Sequence, residues 1–209
     1  MKIQSIVIAG VTFFSLMSSV FASTKYTLDT SHSTVGFKVP HLMISSVQGR
    51  FDKFEGTFSF DEKTGKVDDL TAKIDLDSVN TNDPKRDKHL KNEDFFGVRL
   101  KDDKLVENKR WMTFAATKVD VKNKKPNTIK GDLTLNGVTK PVTLAVNYKG
   151  TVVDPWGNSR LGFEATGKLS RKDYKITWNK ALETGGVVVG DEVTIVIDGE
   201  AIADKSTIK

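Results

Sequence analysis

The stretch that decides the fold spans residues 129–146 and reads IKGDLTLNGVTKPVTLAV. Apolar side chains recur at alternate positions up to Leu135 and again from Val142, which is typical of β-strands with one buried face. Asn136 and Gly137 lie between the two runs, and both tolerate the positive φ angles of a type I′ turn. The stretch therefore predicts an antiparallel hairpin with its turn at Asn136-Gly137.

The same alternation extends over most of the chain. It predicts inward faces at Val35, Phe37 and Val39, at Leu70, Ala72, Ile74 and Leu76, at Leu161, Phe163, Ala165 and Leu169, and at Val193, Ile195 and Ile197. Turn-forming clusters at residues 61–65 and 154–158 separate the runs, and about eight strands follow. A short helix is expected at residues 83–91, with Asp83 as its cap and Pro84 in its first turn.

So many strands in one domain must pair as a sandwich or close into a barrel. Closure removes the exposed edges that invite aggregation, and an eight-stranded barrel has room for side chains or one small ligand. We therefore predict an all-β, mostly antiparallel fold, and strand count alone favours the barrel only slightly.

The beginning of the chain is typical of a secretory signal. Lys2 precedes an apolar run at residues 3–17, and small residues lie before a cleavage point after Ala22. A membrane-spanning helix needs about 20 apolar residues, and polar residues such as Thr12 and Ser15 interrupt this run. We expect residues 1–22 to be a cleaved signal peptide, and residues 23–209 to form one soluble domain in the periplasm.

Composition excludes several kinds of chemistry. The chain has no cysteine, so it has no disulfide, thiolate metal site or thiol nucleophile. The formal net charge of +5 is dispersed among acidic residues, whereas nucleic-acid binding needs a clustered basic surface. His32, His41 and His89 lie far apart in sequence, without the spacing of local zinc ligands. We expect no nucleic acid, no metal and no cofactor.

The cluster Arg86-Asp87-Lys88-His89 places a fixed cation, a carboxylate and a titratable imidazole within one helical turn, so it is the strongest candidate for a chemical role. On a helix, Arg86 and His89 share one face. Three roles are open: tying a loop to the barrel rim, which we favour, binding a ligand head group, and acid-base catalysis, which would need a second positioned group.

Large apolar residues concentrate in two regions of the sequence. They are Phe51, Phe54, Phe58 and Phe60 in the first region, and Leu90, Phe95, Phe96, Trp111 and Phe114 in the second. Aromatic residues dominate ordinary β-protein cores, but they also line apolar ligand pockets. Composition leaves both interpretations open.

Several motifs together resemble the YceI-like family. They are His32-Ser33, Val35-Gly36-Phe37, His41-Leu42, Val47-Gln48-Gly49-Arg50-Phe51, Arg86-Asp87-Lys88-His89-Leu90, Asp94-Phe95-Phe96, Gly131-Asp132-Leu133-Thr134-Leu135-Asn136-Gly137 and Val189-Gly190-Asp191. The resemblance runs in order from about Tyr26 to Glu200, nearly the whole predicted mature chain.

The resemblance implies an eight-stranded antiparallel lipocalin-like barrel with a short helix in a connection. Its apolar tunnel would hold a polyisoprenoid or another long-chain amphiphile, such as an isoprenoid quinone. Members are typically periplasmic or secreted, often homodimeric and not known as enzymes, and we add transient contact with a membrane surface as a hypothesis. The candidate ligand-binding residues are Phe37, Val39, Leu42, Met43, Phe51, Arg86, Asp87, His89, Leu90, Phe95, Phe96 and Phe114.

One segment departs from the family pattern. Residues 97–110 are longer and more charged than the resemblance implies, and Trp111 stands where a smaller residue is expected. If this segment borders the tunnel, the ligand's length or head group would differ from those of relatives.

Two rival hypotheses remain. One is an interaction module of a membrane electron-transfer or stress-response system, with side chains filling its core. The other is a lipid-modifying enzyme that uses His89 and Asp87.

Overall fold

The computed structural model describes residues 23–183 and 185–206, which contain eleven strands and one α-helix. The strands are β1 (Thr24–Leu28), β2 (Thr34–His41), β3 (Ser45–Phe51), β4 (Phe54–Asp61), β5 (Lys66–Asp75), β6 (Val79–Asn80), β7 (Trp111–Lys122), β8 (Lys125–Leu135), β9 (Val138–Val153), β10 (Ser159–Ser170) and β11 (Glu192–Ala203). The helix α1 spans Pro84–Lys91, and short 3-10 turns occur at Leu76–Ser78, Glu107–Lys109 and Arg171–Tyr174. The predicted signal peptide at residues 1–22 lies outside the described residues and stays a prediction.

The strands close into an antiparallel barrel. Neighbouring strands follow the order β1-β4-β5-β7-β8-β9-β10-β11, and β1 pairs again with β11. The other half of β11 pairs with β2, which continues to β3 and β6. At three of the eight positions around the barrel, two short consecutive strands lie end to end and together take the place of one long strand. These pairs are β1 with β2, β3 with β4, and β5 with β6. The prediction of an eight-stranded antiparallel barrel is confirmed, with three of its strands interrupted.

Aspartates mark two of these interruptions. The Asp29 carboxylate accepts a hydrogen bond from the Ser31 backbone N–H at 3.0 Å, where β1 ends. Asp75 accepts one from the Asp77 backbone N–H at 3.0 Å and so caps the 3-10 turn after β5. Such local bonds offer the backbone an alternative to the sheet ladder. Apolar alternation alone does not reveal them, because the inward pattern resumes after each interruption.

The hairpin and the helix form where the sequence predicts them. Asn136 and Gly137 have φ angles of 50° and 70°, and Leu135 pairs with Val138 across the turn. At the start of α1, the Asp83 carboxylate accepts hydrogen bonds from the backbone of Lys85 and Arg86 at 3.0 and 3.2 Å. Both predictions are confirmed.

The two ends of the barrel differ in packing. At one end, called the closed end below, Tyr26 stacks on Phe58 at 5.6 Å between ring centroids, and Phe60 meets Tyr148 at 5.4 Å. The turns at residues 61–65 and 154–158 lie there. The opposite end, called the α1 end, carries α1, the turns at 42–44 and 136–137, and a loop at residues 175–191. Side chains occupy most of the closed end, so the larger free volume of the interior lies toward the α1 end.

Arg160 ties the β9–β10 turn to the gap between β1 and β2. Its guanidinium donates to the carboxylates of Asp154 at 2.7 Å and Asp29 at 2.8 Å, and it also contacts Glu200. The Arg160 hydrogen bond holds the pKa of Asp154 well below its usual range. The Ser31 hydroxyl, followed by His32 and Arg160, lowers the pKa of Asp29.

This network predicts acid-sensitive stability. Because both carboxyl pKa values lie below the unfolded value of about 3.9, their stabilisation is complete above that value and is lost as the pH falls through the folded values. We expect the free energy of unfolding, measured by urea titration, to fall between pH 5 and pH 2 and to fall less steeply in Arg160→Met. Arg50→Met, which breaks an exposed pair with Asp52, is the control and should match the wild-type slope. Equal slopes in all three proteins would contradict the assignment.

Candidate functional site

The barrel encloses a cavity of about 370 Å³. This volume lies within the range of about 300–1,000 Å³ that is usual for small-molecule sites. Its walls are mostly apolar side chains from strands all round the barrel, among them Val35, Ile74, Leu133, Leu144 and Ile195. An apolar cavity of this size is suited to a water-insoluble ligand.

At three inward-facing glycines of the wall, an aromatic ring from the adjacent strand covers the backbone. A Cβ atom on Gly49 would lie 2.4 Å from the Phe37 ring, one on Gly131 would lie 2.3 Å from Phe114, and one on Gly199 would lie 2.4 Å from Phe163. The missing side chains let these rings lie against the wall instead of pointing toward the barrel axis. The interior therefore carries aromatic residues and still remains hollow.

A second, smaller cavity of about 40 Å³ lies toward the closed end. Phe58, Leu70, Ile129 and Phe163 border both cavities and separate them. The Phe58 and Phe163 rings meet edge to face at 6.3 Å between centroids. This layer forms the floor of the larger cavity and limits how deep a ligand can reach.

The α1 end supplies charged and titratable groups to the lining. Arg86 and His89 both line the cavity, yet their side chains are 38% and 39% exposed. The His89 ring lies edge to face with Phe95 at 5.0 Å and with Trp178 at 5.1 Å, and its Nε2 lies 3.1 Å from the Asp94 carboxylate. Side chains that touch both the cavity and solvent mark an opening, which we call the mouth.

Arg86 and Asp87 both bind Thr81, the residue that follows β6. Asp87 accepts hydrogen bonds from the Thr81 backbone N–H at 2.8 Å and from its hydroxyl at 2.5 Å. The Arg86 guanidinium donates to the Thr81 hydroxyl at 2.8 Å and to its carbonyl at 2.9 Å. These bonds fix α1 against the barrel rim, the structural role that the sequence favours, and leave Asp87 turned away from the cavity.

A buried arginine holds the other side of the mouth. The Arg171 guanidinium donates to the carbonyls of Ile176, Trp178 and Gly190 at 2.8–2.9 Å and to the Asp191 carboxylate at 3.2 Å. Backbone carbonyls and one carboxylate therefore satisfy a charge that would otherwise be costly to bury. The arginine fixes both strands of the loop that carries Trp178 over the cavity.

A family model of the YceI-like domain matches residues 26–201. This chain belongs to the YceI-like family. Protein YceI of Escherichia coli O157:H7 is 40% identical over 200 residues, which cover 94% of this chain and 97% of that protein. The resemblance inferred from the motifs is confirmed.

Solved structures of similar proteins share the barrel. The YceI protein of Campylobacter jejuni gives a TM-score of 0.66 at 31% identity, covering 85% of this chain and 97% of its own. A polyisoprenoid binding domain from Saccharophagus degradans gives a TM-score of 0.60 at 17% identity, covering 86% and 98% of the two chains. The second likeness concerns the fold alone.

The structure brings together most of the residues that the sequence proposes for ligand binding. Nine of the twelve line the cavity: Phe37, Val39, Phe51, Arg86, His89, Leu90, Phe95, Phe96 and Phe114. Whether they contact a ligand stays a prediction. Leu42, Met43 and Asp87 lie outside the lining, which corrects their expected placement. Positive φ angles at Leu42 and Met43 form a turn that projects outward, and Asp87 binds Thr81 instead.

Sequence reasoning missed the far wall of the cavity. Leu133, Val193 and Ile195 are predicted to face inward but are not among the candidate ligand-binding residues, because burial and cavity lining produce the same alternation. Trp178 and Arg171 lie outside any alternating run, and no local pattern marks them. Both become recognisable only when the fold places the loop over the mouth.

The unusual segment at residues 97–110 does not reach the cavity. Val98 is buried in the core, and Arg99 and Arg110 bind Asp77 and Asp75. Trp111 lies on the outer face, with the Lys73 amine 4.1 Å from its ring centroid. The segment braces the rim from outside, and its effect on a ligand would be indirect.

One group of side chains has the composition of a metal site. The ligand atoms of Asp29, His32 and Glu200 lie within 4.8 Å of one another. Arg160 already contacts both carboxylates, so its positive charge occupies the place that a cation would take.

Within the described ranges 23–183 and 185–206, no helix is long and apolar enough to cross a membrane.

The ring-on-glycine packing predicts the effect of one added methyl group. Gly49→Ala should push Phe37 toward the barrel axis, reduce the capacity for an apolar fluorescent probe, and lower the free energy of unfolding by about 1–3 kcal/mol through overpacking. Gly162→Ala is the matched control, because its new Cβ would meet only the Lys149 Cβ at 3.5 Å, an ordinary contact. Equal losses in both variants would disprove this account.

The Arg171 bonds predict that lysine cannot replace arginine. Arg171→Lys keeps the charge but loses the planar fork, so several carbonyls lose their donors and the unfolding free energy should fall by about 2–4 kcal/mol. Amide hydrogen exchange should increase mainly at residues 176–190. Arg50→Lys serves as the surface control, and a change spread evenly over the barrel would argue against a local clamp.

Proposed function

We propose that this protein is a periplasmic binding protein that carries a polyisoprenoid or another long-chain amphiphilic lipid, such as an isoprenoid quinone. The tail would occupy the barrel cavity, and the head group would lie near Arg86 and His89 at the mouth. The observation that carries this proposal is the distribution of polarity: apolar walls along the barrel and charged or titratable side chains at the α1 end.

Physical chemistry makes this mode of binding effective. Each buried methylene contributes about 0.8 kcal/mol, so an isoprenoid tail can bind tightly with few polar contacts. Ordering of the flexible tail offsets part of this gain. The S. degradans protein of the same fold is a polyisoprenoid binding domain, which is consistent with the same ligand class. The predicted signal peptide supports a periplasmic location.

Binding fits the α1 end better than catalysis does. The acid-base pair considered from the sequence would need Asp87 and His89 to act on one substrate. Asp87 instead accepts hydrogen bonds from Thr81, while His89 pairs with Asp94. The interaction-module hypothesis assumed a core filled by side chains, and a cavity of about 370 Å³ argues against it. We expect no cofactor apart from the carried lipid.

The direct test is to identify what the protein carries. Protein purified from the periplasm is analysed by native mass spectrometry and then extracted with organic solvent. We expect a mass excess that disappears on extraction, together with an isoprenoid or long-chain amphiphile in the extract. An empty protein whose delipidated form takes up no prenyl lipid at micromolar concentration would refute the proposal.

A paired substitution shows whether the ligand occupies the cavity. Ala72→Phe places a ring in the cavity lining. If this ring keeps only two methylene groups of the lipid tail out of the cavity, lipid binding should weaken by more than about tenfold. Ala145→Phe adds the same ring on the exposed outer face of β9 and should leave the affinity unchanged. Equal affinities in both variants would place the lipid outside the barrel.

A further inference from the structure

The tip of the β2–β3 hairpin exposes three consecutive large apolar residues. Leu42 is 36% exposed, Met43 67% and Ile44 86%. Scattered apolar residues are normal on protein surfaces, whereas a contiguous group has a reason to be there. The tip belongs to the α1 end, where the cavity opens.

The fold does not require apolar residues in this turn. Leu42 and Met43 have φ angles of 52° and 62°, a left-handed conformation that is strained for bulky side chains. The β8–β9 hairpin of the same barrel meets a similar demand with Asn136 and Gly137, which suit it. The tip therefore keeps large apolar side chains although less strained residues would form the turn, which indicates a function outside folding.

The tip is continuous with the cavity mouth. The Leu42 backbone N–H donates to the Val188 carbonyl at 2.9 Å, and His41 pairs with Val189 in an isolated bridge. His41, Val188 and Val189 all line the cavity. The exposed tip therefore lies directly beside residues of the cavity rim.

The charge around the mouth favours an anionic surface. Lys85 and Lys88 on α1 are exposed, as is Lys180 on the loop that carries Trp178. Of the neighbouring acidic groups, Asp83 caps α1, Asp87 binds Thr81 and Asp94 pairs with His89, while Glu93 and Glu183 are exposed. Contacts of His89 with Trp178 and of Leu42 with Val188 join α1, the loop and the hairpin into one rim.

We infer that the hairpin tip docks the protein onto a bilayer that contains anionic phospholipid. Leu42, Met43 and Ile44 enter the head-group region, and the lysines of the rim face the phosphates. Docking turns the mouth toward the membrane, so a lipid passes between bilayer and cavity without crossing water. The purpose of docking rests on the proposed function, but the docking itself does not require a bound ligand.

A second copy of the chain is the less suitable occupant. A stable protein interface buries about 800 Å² on each partner, well beyond what three side chains at a turn supply. A short apolar projection beside exposed lysines is instead the composition of a peripheral membrane contact.

The test is co-sedimentation of the delipidated protein with vesicles of phosphatidylethanolamine and phosphatidylglycerol. The tip variant combines Leu42→Asn, Met43→Gly and Ile44→Ser. The control combines Val152→Ser, Val153→Ser and Trp156→Ser, which removes a comparably exposed apolar group at the closed end. We expect the tip variant to bind vesicles at least about tenfold more weakly, and the control to bind as the wild type does. Phosphatidylcholine vesicles or added salt should also weaken binding.

Misfolding cannot imitate this result. Asn and Gly suit the left-handed turn, so the tip variant should melt at the same temperature as the wild type or higher. Wild-type protein that fails to sediment, or a control that loses binding while the tip variant keeps it, would overturn the inference. A wild-type dimer that the tip variant converts to monomer in sedimentation velocity would overturn it in favour of a self-interface. Uptake of prenyl lipid from detergent solution, measured separately, shows whether the proposed function stands or fails independently of docking.

Discussion

β1 pairs with one half of β11 while β2 pairs with the other half, and this arrangement turns a meandering sheet into a closed barrel. Closure satisfies the backbone groups of both edges and leaves an interior that eight strands can either fill or leave partly open. Aromatic rings in contact with one another occupy most of the closed end. Above the floor, the Phe37 and Phe114 rings lie over glycines and the interior stays hollow. Both outcomes depend on one register, because a shift of one residue would turn every inward side chain to the outside.

The mouth is assembled from two parts that are distant in sequence. On one side, Arg86 and Asp87 both form hydrogen bonds with Thr81, and these bonds fix α1 directly after β6. On the other side, the Arg171 guanidinium donates hydrogen bonds to backbone carbonyls of the loop at residues 175–191. His89 and Trp178 meet between the two parts. Polar groups thus shape the rim, while the cavity walls remain apolar.

Much of this architecture is readable from the sequence, for definite physical reasons. The alternation around Asn136-Gly137 and the Asp83-Pro84 start of α1 depend on local backbone preferences, so a short window predicts them. The strand interruptions depend on single side-chain bonds such as that of Asp75, which alternation does not record. The cavity depends on empty space, and a wall residue such as Ile195 has the same sequence pattern whether its neighbour is a side chain or a void. Leu42 and Met43 look like lining residues in sequence, and only the turn they form and their exposure in the fold show that they project outward.

The bonds of Arg171 also bear on how long an occupant would stay. Moving the loop away from the cavity means breaking several hydrogen bonds to one buried cation together, and a cooperative opening of that kind is a rare event. The α1 side contributes an edge-on contact between His89 and Trp178 and a partly exposed bond to Asp94, which separate more easily. Exchange through the rim is therefore governed by its weaker half. The dwell time of a carried molecule would be set by how often the His89 and Trp178 side chains separate, and only weakly by the packing of the barrel wall.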